Sequence, residues 1–222
     1  MNRPRQLIVM AGTGTEIGKT WVGCRLLEQA RARGLRVAVR KPAQSFEAFA
    51  DAEPPRADAA ANQPTDADLL AAASGESPQT ICPAHRWYAV AMAPPMAADV
   101  LGRERLTLAE LVAEIRWPEG IDLGCVEIAG GLRSPIAHDA DNVELIERLA
   151  PDAVVLVADA GLGTINSVRL SLAALHGLRV HVYLNRFDAT NDLHARNRAW
   201  LVDVYGIDVS VAIEPLVDRI RR

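Results

Sequence analysis

Short apolar runs recur along the chain, and glycine or polar residues bound each of them. The runs are continuous rather than alternating, which is typical of parallel strands covered on both faces of a sheet. On this pattern we predict six strands, at Leu7–Met10, Val37–Arg40, Gly124–Ile128, Ala153–Ala158, Val180–Leu184 and Val209–Ile213.

Helical patterns lie between these runs. The clearest begins at a capping box, Thr107-Leu108-Ala109-Glu110, and continues with apolar residues at helical spacing. Further helices are predicted at Asp66–Ser74, Asn142–Leu149, Thr164–His176 and Leu193–Tyr205. The alternation predicts an α/β fold with a mostly parallel sheet and helices on both faces. In such sheets ligands bind at the carboxyl ends of the strands.

The composition predicts a single domain over residues 1–222, because 50% hydrophobic content is enough for a core without disulfides. Two stretches break the alternation of strands and helices. A loop insertion rich in Ala, Pro, Asp and Glu is predicted at about residues 42–64, and a proline-containing segment at about 77–95. Insertions of this length are commonly binding loops or lids.

Charge, hydrophobic run length and cysteine content exclude several classes of protein. The net charge is −4 and the pI is about 5.8, so no basic surface favours nucleic acid or a membrane. No apolar run reaches the roughly 20 residues that span a bilayer. The N-terminus leads directly into the first predicted strand, so we expect no signal peptide. The three cysteines fit neither a zinc site nor a disulfide framework, which predicts reduced thiols and a cytoplasmic protein.

A glycine-rich turn follows the first predicted strand. The segment Ala11–Thr20 (AGTGTEIGKT) runs from that strand into a helix, which is the context of a phosphate-binding loop of the P-loop NTPase type. Thr13 stands where the strict pattern has glycine, with a glycine on either side. Lys19 would bind the outer phosphates, and the Thr20 hydroxyl suits a Mg²⁺ ion. The chain is therefore expected to bind a nucleoside triphosphate.

Charged residues close several predicted strands. Lys41 follows the second strand, where its ammonium group could reach the phosphates or simply extend to solvent. Ser45, four residues later, is within reach of a shared ligand. Glu127 lies within an apolar run, where a carboxylate needs a cation such as Mg²⁺ or a salt bridge. Asp159 ends the fourth strand and is an equal alternative as the acid of a metal site.

Other polar positions have ordinary explanations beside the functional ones. Asp66 and Asp68 begin a helix, where an acidic residue also serves as a cap. Asn185 closes the fifth strand and could read a base edge or complete a turn. Gly161–Asn166 is a second glycine turn into a helix, which indicates either a carboxylate site or a tight connection.

Taken together, segments along nearly the whole chain resemble the ATP-dependent dethiobiotin synthetases. The matching segments are Gly12–Thr20, Lys41–Ser45, Asp66-Ala67, Val126–Gly131, Leu162–Asn166 and Asn185, in the order of the family. Met92–Pro95 is similar to the family's proline-containing segment before its central helix.

The resemblance implies an enzyme of biotin biosynthesis that uses CO₂ and MgATP to close a ureido ring on 7,8-diaminopelargonate. One substrate amine forms a carbamate, the carbamate oxygen attacks the γ-phosphate, and the second amine displaces phosphate from the mixed anhydride. The resemblance also implies a homodimer. The turn Leu162–Asn166 of the neighbouring subunit would hold the distal carboxylate of the substrate, so that Asn166 acts across the interface.

The resemblance assigns roles to individual residues. Lys41 would secure the carbamate, and Lys19 would stabilise the transferred phosphoryl group. Mg²⁺ would be held by Thr20, Asp66 and Glu127. The substrate would contact Thr13, Ser45 and Asn166. The nucleotide would contact Glu16, Ile17, Gly18, Lys19, Thr20, Trp21, Asp66, Glu127, Ile128, Ala129, Gly130, Asn185, Arg186 and, near adenine, a turn at Glu214-Pro215.

Two positions depart from the family pattern: Gly14 where the family usually has Asp, and Ile128 where it usually has Gly. The alternative function is a nucleotide-switch ATPase of the partitioning type, which resembles this family in fold. Such ATPases typically carry an additional lysine early in the loop. The equivalent position here is Gly14, which argues against that alternative.

Overall fold

The structure is a computed structural model that describes residues 2–47 and 64–220. Most of the predicted loop insertion at about 42–64 therefore lies outside the described residues. The strands are β1 (Gln6–Gly12), β2 (Val37–Arg40), β3 (Gln44–Ser45), β4 (Trp87–Tyr88), β5 (Leu123–Glu127), β6 (Pro135–Ala137), β7 (Ala140–Asp141), β8 (Ala153–Asp159), β9 (Val180–Asn185) and β10 (Val209–Ser210). The helices are α1 (Lys19–Ala32), α2 (Asp66–Ser74), α3 (Pro78–Ile81), α4 (Pro94–Val100), α5 (Leu108–Glu114), α6 (Asn142–Leu149), α7 (Thr164–Ala174), α8 (Asp192–Ala199) and α9 (Ile213–Ile220).

Six parallel strands form the central sheet in the order β10-β9-β8-β1-β5-β2. Alternate residues of each strand face opposite sides, so Val9 packs into one apolar cluster and Ile8 into another. The first cluster includes residues of α5, α6 and α7, and the second includes residues of α1, α2 and α9. The predicted α/β fold with a mostly parallel sheet and helices on both faces is confirmed.

The strand order determines where a ligand can bind. From β1 the chain crosses to β2 at one edge, returns to β5 beside β1, and then continues to β8 on the other side of β1. The direction of winding reverses at β1, and a crevice opens there at the carboxyl ends of the strands. The glycine-rich turn between β1 and α1 lies at this end of the sheet.

The prediction of a strand at Val209–Ile213 was wrong in its second half. The strand ends at Ser210, and Ile213 is the first residue of α9. Ile213, Leu216 and Ile220 are buried on one face of α9, so the apolar residue belongs to a helical pattern rather than to the strand. Glu214 and Pro215 consequently lie in the first turn of a helix and not in the predicted turn.

Helix ends differ from the predicted ones in two places. The helix predicted at Leu193–Tyr205 is α8 followed by a π-helical turn at Trp200–Val204, and α7 ends at Ala174 rather than His176. The proline-containing segment at about 77–95 contains short elements with too few residues to show a period. Among them, β4 pairs with β3 in a small parallel sheet beside the site.

The described ranges contain no helix that is both long and apolar enough to cross a bilayer. Cys24, Cys82 and Cys125 are free cysteines, and burial raises the pKa of the Cys24 and Cys82 thiols to about 12. These thiols are therefore protonated and weak nucleophiles at neutral pH.

Candidate functional site

The turn between β1 and α1 has the backbone of a phosphate-binding loop. Gly18, directly before α1, has a left-handed φ of 89°. A Cβ at this position would lie 2.1 Å from Asn185 Nδ2, so only glycine fits. Lys19 is the first residue of α1, and its Nζ donates to the Gly14 carbonyl at 2.8 Å. The free N–H groups of the first turn of α1 and the Lys19 ammonium group therefore lie together, as an anion site requires.

Two carboxylates, a lysine and a hydroxyl converge beside this loop. The Lys41 Nζ atom lies 2.6 Å from Glu127 Oε1 and 2.8 Å from Asp66 Oδ2. The Thr20 hydroxyl lies 2.9 Å from Asp66 Oδ1 and 2.9 Å from Glu127 Oε1. The four side chains come from α1, α2, the end of β5 and the residue after β2. The sheet and the two helices thus bring together residues that are far apart in sequence.

Electrostatics favour the charged forms of Lys41 and Asp66 in this cluster. Burial alone would lower the pKa of the Lys41 ammonium group, but Glu127 and Asp66 outweigh it and raise that pKa above its ordinary value. The charge of Lys41 in turn lowers the pKa of the Asp66 carboxyl group. Lys41 is buried and is not the solvent-facing lysine that sequence alone allowed.

Lys19 behaves differently from Lys41. Burial lowers the pKa of the Lys19 ammonium group to about 8, and the nearby Lys41 charge acts in the same direction. Glu127 and Asp66 oppose these effects only in part. An anion bound to the loop would supply the counter-charge that Lys19 lacks, so the site favours anionic ligands.

The donor set fits Mg²⁺. Thr20, Asp66 and Glu127 offer only oxygen atoms, which is the ligand chemistry that magnesium prefers. Glu127 Oε2 is buried and has no hydrogen-bond partner among the described residues. No group of three or more His, Cys, Asp or Glu side chains in the described ranges could hold a metal. Magnesium would accordingly take its remaining ligands from phosphate and water.

The structure distinguishes the alternatives that sequence left open. Asp68 accepts from the backbone N–H and the hydroxyl of Thr65 and so caps α2, whereas Asp66 faces the cluster. Asp159 ends β8, on the other side of β1 from Glu127. Its carboxylate accepts from the Gly161 N–H at 2.7 Å and pairs with Arg186 at 3.5 Å. Glu127, and not Asp159, lies in the cluster with Thr20.

Three adjoining cavities surround the loop. The central one, of about 470 Å³, holds ten of the predicted residues: Glu16, Gly18, Lys19, Thr20, Lys41, Ser45, Asp66, Glu127, Ala129 and Gly130. An outer cavity of about 380 Å³ shares Ser45 and extends along Phe46, Met92 and Pro94. A third, of about 470 Å³, lies on the other side of the loop, where Trp21, Asn185 and Arg186 form part of its wall.

Six predicted residues line none of these three cavities: Thr13, Ile17, Ile128, Asn166, Glu214 and Pro215. Ile128 is fully buried in the apolar core. The Thr13 N–H donates to the Val157 carbonyl of β8, and the Ile17 carbonyl accepts from Asn185. Asn166 lies in the first turn of α7.

Sequence reasoning missed several residues of the cavities. Gln44 is buried, and its side-chain oxygen accepts from the Ala67 N–H, which joins the strand after Lys41 to the start of α2. Tyr183 and Phe187 line the third cavity and Met92 the outer one. Apolar residues in a core pattern carry no sequence signal that separates a cavity wall from the core.

Comparisons with known proteins agree with this geometry. The family model described as an AAA domain matches residues 6–195. The ATP-dependent dethiobiotin synthetase BioD of Anaeromyxobacter dehalogenans (strain 2CP-C) is 37% identical over 191 residues, covering 83% of this chain and 78% of the relative. BioD of Caulobacter vibrioides (strain NA1000 / CB15N) is 37% identical over 174 residues, which cover 76% of this chain and 73% of that relative.

Solved structures share the fold at low identity. The signal recognition particle receptor FtsY from Elizabethkingia anophelis, in complex with GDP, is 18% identical with a TM-score of 0.51, over 96% of this chain and 59% of that chain. A DUF1611 family protein from Anabaena variabilis is also 18% identical, with a TM-score of 0.53. The match covers 98% of this chain and 57% of that chain. The chain spans less than two thirds of either protein, and the likeness concerns the fold alone.

Proposed function

The chain belongs to the ATP-dependent dethiobiotin synthetase family, and on that premise we propose that it closes the ureido ring of dethiobiotin on 7,8-diaminopelargonate with CO₂ and MgATP. The observation that carries the proposal is that Asp66 and Glu127 both contact the Thr20 hydroxyl at the start of α1 and the Lys41 ammonium group. Anion-binding and cation-binding groups thus meet in one cavity, as phosphoryl transfer from a metal-bound nucleotide requires.

The first step makes the nucleophile. One amine nitrogen of the substrate attacks CO₂ and forms a C–N bond as one C=O π bond opens, and the nitrogen loses a proton to solvent, which leaves a carbamate anion. The Lys41 ammonium group is the cation proposed to bind that anion, because it lies in the wall of the central cavity and is held in the charged form. Its part is to orient one carbamate oxygen towards the γ-phosphorus.

The next two steps transfer and release phosphate. The carbamate oxygen forms a bond to the γ-phosphorus as the bond to the ADP oxygen breaks, which gives a carbamic-phosphoric anhydride and ADP. The second amine then attacks the carbonyl carbon, the C–O bond breaks, phosphate leaves with that oxygen, and the amine proton passes to the departing phosphate. Lys19 would donate to the transferred phosphoryl group, where negative charge develops. Magnesium, when bound, neutralises charge on the phosphate oxygens, and Thr20, Asp66 and Glu127 would hold it.

The outer cavity suits the chain of the diamine, and the third cavity suits the adenine base. The outer cavity has apolar walls at Phe46, Met92 and Pro94, which fit the aliphatic chain of the diamine beside Ser45. In the third cavity, Asn185 donates through Nδ2 to the Ile17 carbonyl and so presents Oδ1 as an acceptor. An acceptor suits the amino group of adenine and not the oxo group of guanine, which supports ATP as the nucleotide.

We also propose a homodimer with a substrate site shared between subunits. Leu162, before α7, is 93% exposed and Leu170 of α7 is 65% exposed. Apolar side chains that are this exposed on one helix and its preceding turn are typical of a covered surface. Asn166 lies between them, where it would reach the distal carboxylate of substrate bound to the other subunit.

An oxygen-label experiment tests the proposed chemistry. With [¹⁸O]bicarbonate, the diamine and MgATP, the released phosphate should carry one ¹⁸O atom from the carbamate, measured by mass spectrometry under single turnover. Lys41→Met should lose this transfer and keep nucleotide affinity within about threefold, because Lys41 lies outside the loop that grips the phosphates. Phosphate without label, or release that ignores the diamine, would favour the nucleotide-switch alternative.

A further inference from the structure

Two consecutive residues, Asn185 at the end of β9 and Arg186 directly after it, donate hydrogen bonds to the backbone of the phosphate-binding loop. The Asn185 side-chain amide donates to the Ile17 carbonyl at 2.8 Å, and the Arg186 guanidinium group donates to the Glu16 carbonyl at 2.9 Å. The two donors thus bind two consecutive carbonyl groups of the loop. A carbonyl oxygen that already accepts a hydrogen bond is held away from a bound anion, which an anion site requires.

The contact to Glu16 coincides with an unfavourable backbone conformation. Glu16 has a φ of 58°, and Arg186 itself has a φ of 55°. The left-handed conformation is disfavoured by about five- to thirtyfold for a residue that carries a Cβ. Such a conformation persists only where neighbouring groups hold it. Here the neighbouring group is the Arg186 guanidinium.

The arginine is itself held in place by the next strand of the sheet. Asp159 at the end of β8 is paired in register with Asn185 of β9, and its carboxylate lies 3.5 Å from the Arg186 guanidinium group. The other Asp159 oxygen accepts from the Gly161 N–H at 2.7 Å, which fixes the carboxylate. The ends of β8 and β9 therefore form a chain of contacts that ends on the Glu16 carbonyl.

We infer that Arg186 is a positioning residue that keeps Glu16 in the left-handed conformation and so shapes the loop for the nucleotide phosphates. Its effect is on the phosphate site and not on the base. The inference rests on the proposed function, because it presupposes that the loop binds the phosphates of ATP. Asp159 then serves as the group that orients Arg186 and not as a metal ligand.

Two ligands separate loop positioning from contact with the nucleotide. The dissociation constants of MgATP and of magnesium tripolyphosphate, which has no base or ribose, are measured by calorimetry on the full chain. Arg186→Met should weaken both ligands by a similar factor, about five- to tenfold, since the loop is common to both. A loss confined to MgATP would overturn the inference, because it would mean that Arg186 contacts the base or ribose.

Substitutions at Glu16 supply a matched control. Glu16→Gly and Glu16→Ala both remove the carboxylate, but only glycine adopts a positive φ without strain. Adding Arg186→Met should cost less than about twofold in the Glu16→Gly background and about five- to tenfold in the Glu16→Ala background. Equal losses in both backgrounds would overturn the inference and leave the proposed function standing. If the wild-type chain binds neither ligand, the proposed function fails as well.

Discussion

The ammonium group of Lys41 lies 2.6 Å from the carboxylate of Glu127, and both side chains are buried. The Asp66 carboxylate lies 2.8 Å from the same ammonium group. The lysine proposed to secure the carbamate is therefore the counter-ion of the two acids proposed to hold Mg²⁺. One small cluster of charges therefore links the proposed metal site to the proposed carbamate site, so a change in one of these two sites should affect the other.

Removing the lysine should destabilise the protein. Lys41→Met leaves the buried Glu127 carboxylate without its cation, and we expect the free energy of unfolding to fall by about 3 kcal/mol at pH 7 in urea denaturation. Millimolar Mg²⁺ should restore part of the loss, because it supplies the missing positive charge. The double variant Lys41→Met/Glu127→Gln should be more stable than Lys41→Met alone. A single variant as stable as the wild type would contradict the importance of this pair.

The pH chosen for the unfolding comparison of Lys41→Met follows from the direction in which the pKa of Lys41 is shifted. The pKa of Lys41 is raised above its ordinary value of 10.5 in the folded protein. Its stabilising contribution is therefore complete below 10.5 and is lost only as the pH rises through the higher folded-state pKa. At pH 7 the comparison reports the full contribution.

Substitutions of the two candidate metal-site acids, Glu127 and Asp159, should differ in their effect on metal affinity. Glu127→Gln should weaken Mn²⁺ binding to the nucleotide complex by about tenfold or more, whereas Asp159→Asn should change it by less than about threefold. Electron paramagnetic resonance of free Mn²⁺ measures both affinities directly. The reverse order would mean that the acid at the end of β8, and not that of β5, approaches the metal.

The chain offers a direct probe of Lys19, because Lys19 and Lys41 are its only lysines. The pKa of Lys19 is lowered to about 8 by burial, so its neutral amine forms as the pH rises through 8, whereas Lys41 stays protonated. An amine-directed acylating reagent should label Lys19 half-maximally near pH 8 and leave Lys41 unlabelled, as measured by peptide mass spectrometry. MgATP should protect Lys19, and equal labelling of the two lysines would contradict the electrostatics described above.

Gly18 should tolerate no side chain. Gly18→Ala places a Cβ 2.1 Å from Asn185 Nδ2 at a φ of 89°, so we expect nucleotide affinity to fall by about a hundredfold. Asn185→Ala in the same chain removes the clash but not the strain of a positive φ, and should recover the affinity only in part. Equilibrium dialysis with labelled ATP measures both. Wild-type affinity in Gly18→Ala would show that the loop rearranges freely.

The proposed dimer predicts a mass change. Leu170→Glu places a charge on the exposed face of α7 and should shift the chain from dimer to monomer in light scattering, with the KM for the diamine rising by about tenfold or more. Leu69→Glu is the matched control, because Leu69 is also exposed but lies in α2, on the other face of the sheet. A wild-type chain that is monomeric would rule out the shared site.

The fold could be predicted because the information lies in local patterns. Strands such as β1 and β8 are buried along almost their whole length and therefore appear as continuous apolar runs. Ile213 was assigned wrongly because a single apolar residue after a short edge strand fits the end of that strand as well as the start of α9. Two-residue strands such as β3 and β4 carry no period at all.

The site could be predicted only down to pairs of alternatives. Asp66 and Asp68 are equivalent as helix-start residues in the sequence. Only the structure distinguishes them, because there the Asp68 carboxylate accepts hydrogen bonds from Thr65. Glu127 and Asp159 both end strands that flank β1, and strand order, which the sequence does not contain, decides which of them lies beside Thr20. In both cases the deciding contact joins segments distant in sequence.

If this cavity couples ATP cleavage to ring closure on a diamine, the two products must form together. The decisive experiment quantifies dethiobiotin and inorganic phosphate simultaneously, from the wild-type chain with 7,8-diaminopelargonate, bicarbonate and MgATP. We expect one phosphate for each dethiobiotin and negligible phosphate when the diamine is left out. Phosphate release at the same rate without the diamine, and no dethiobiotin with it, would overturn the proposed function.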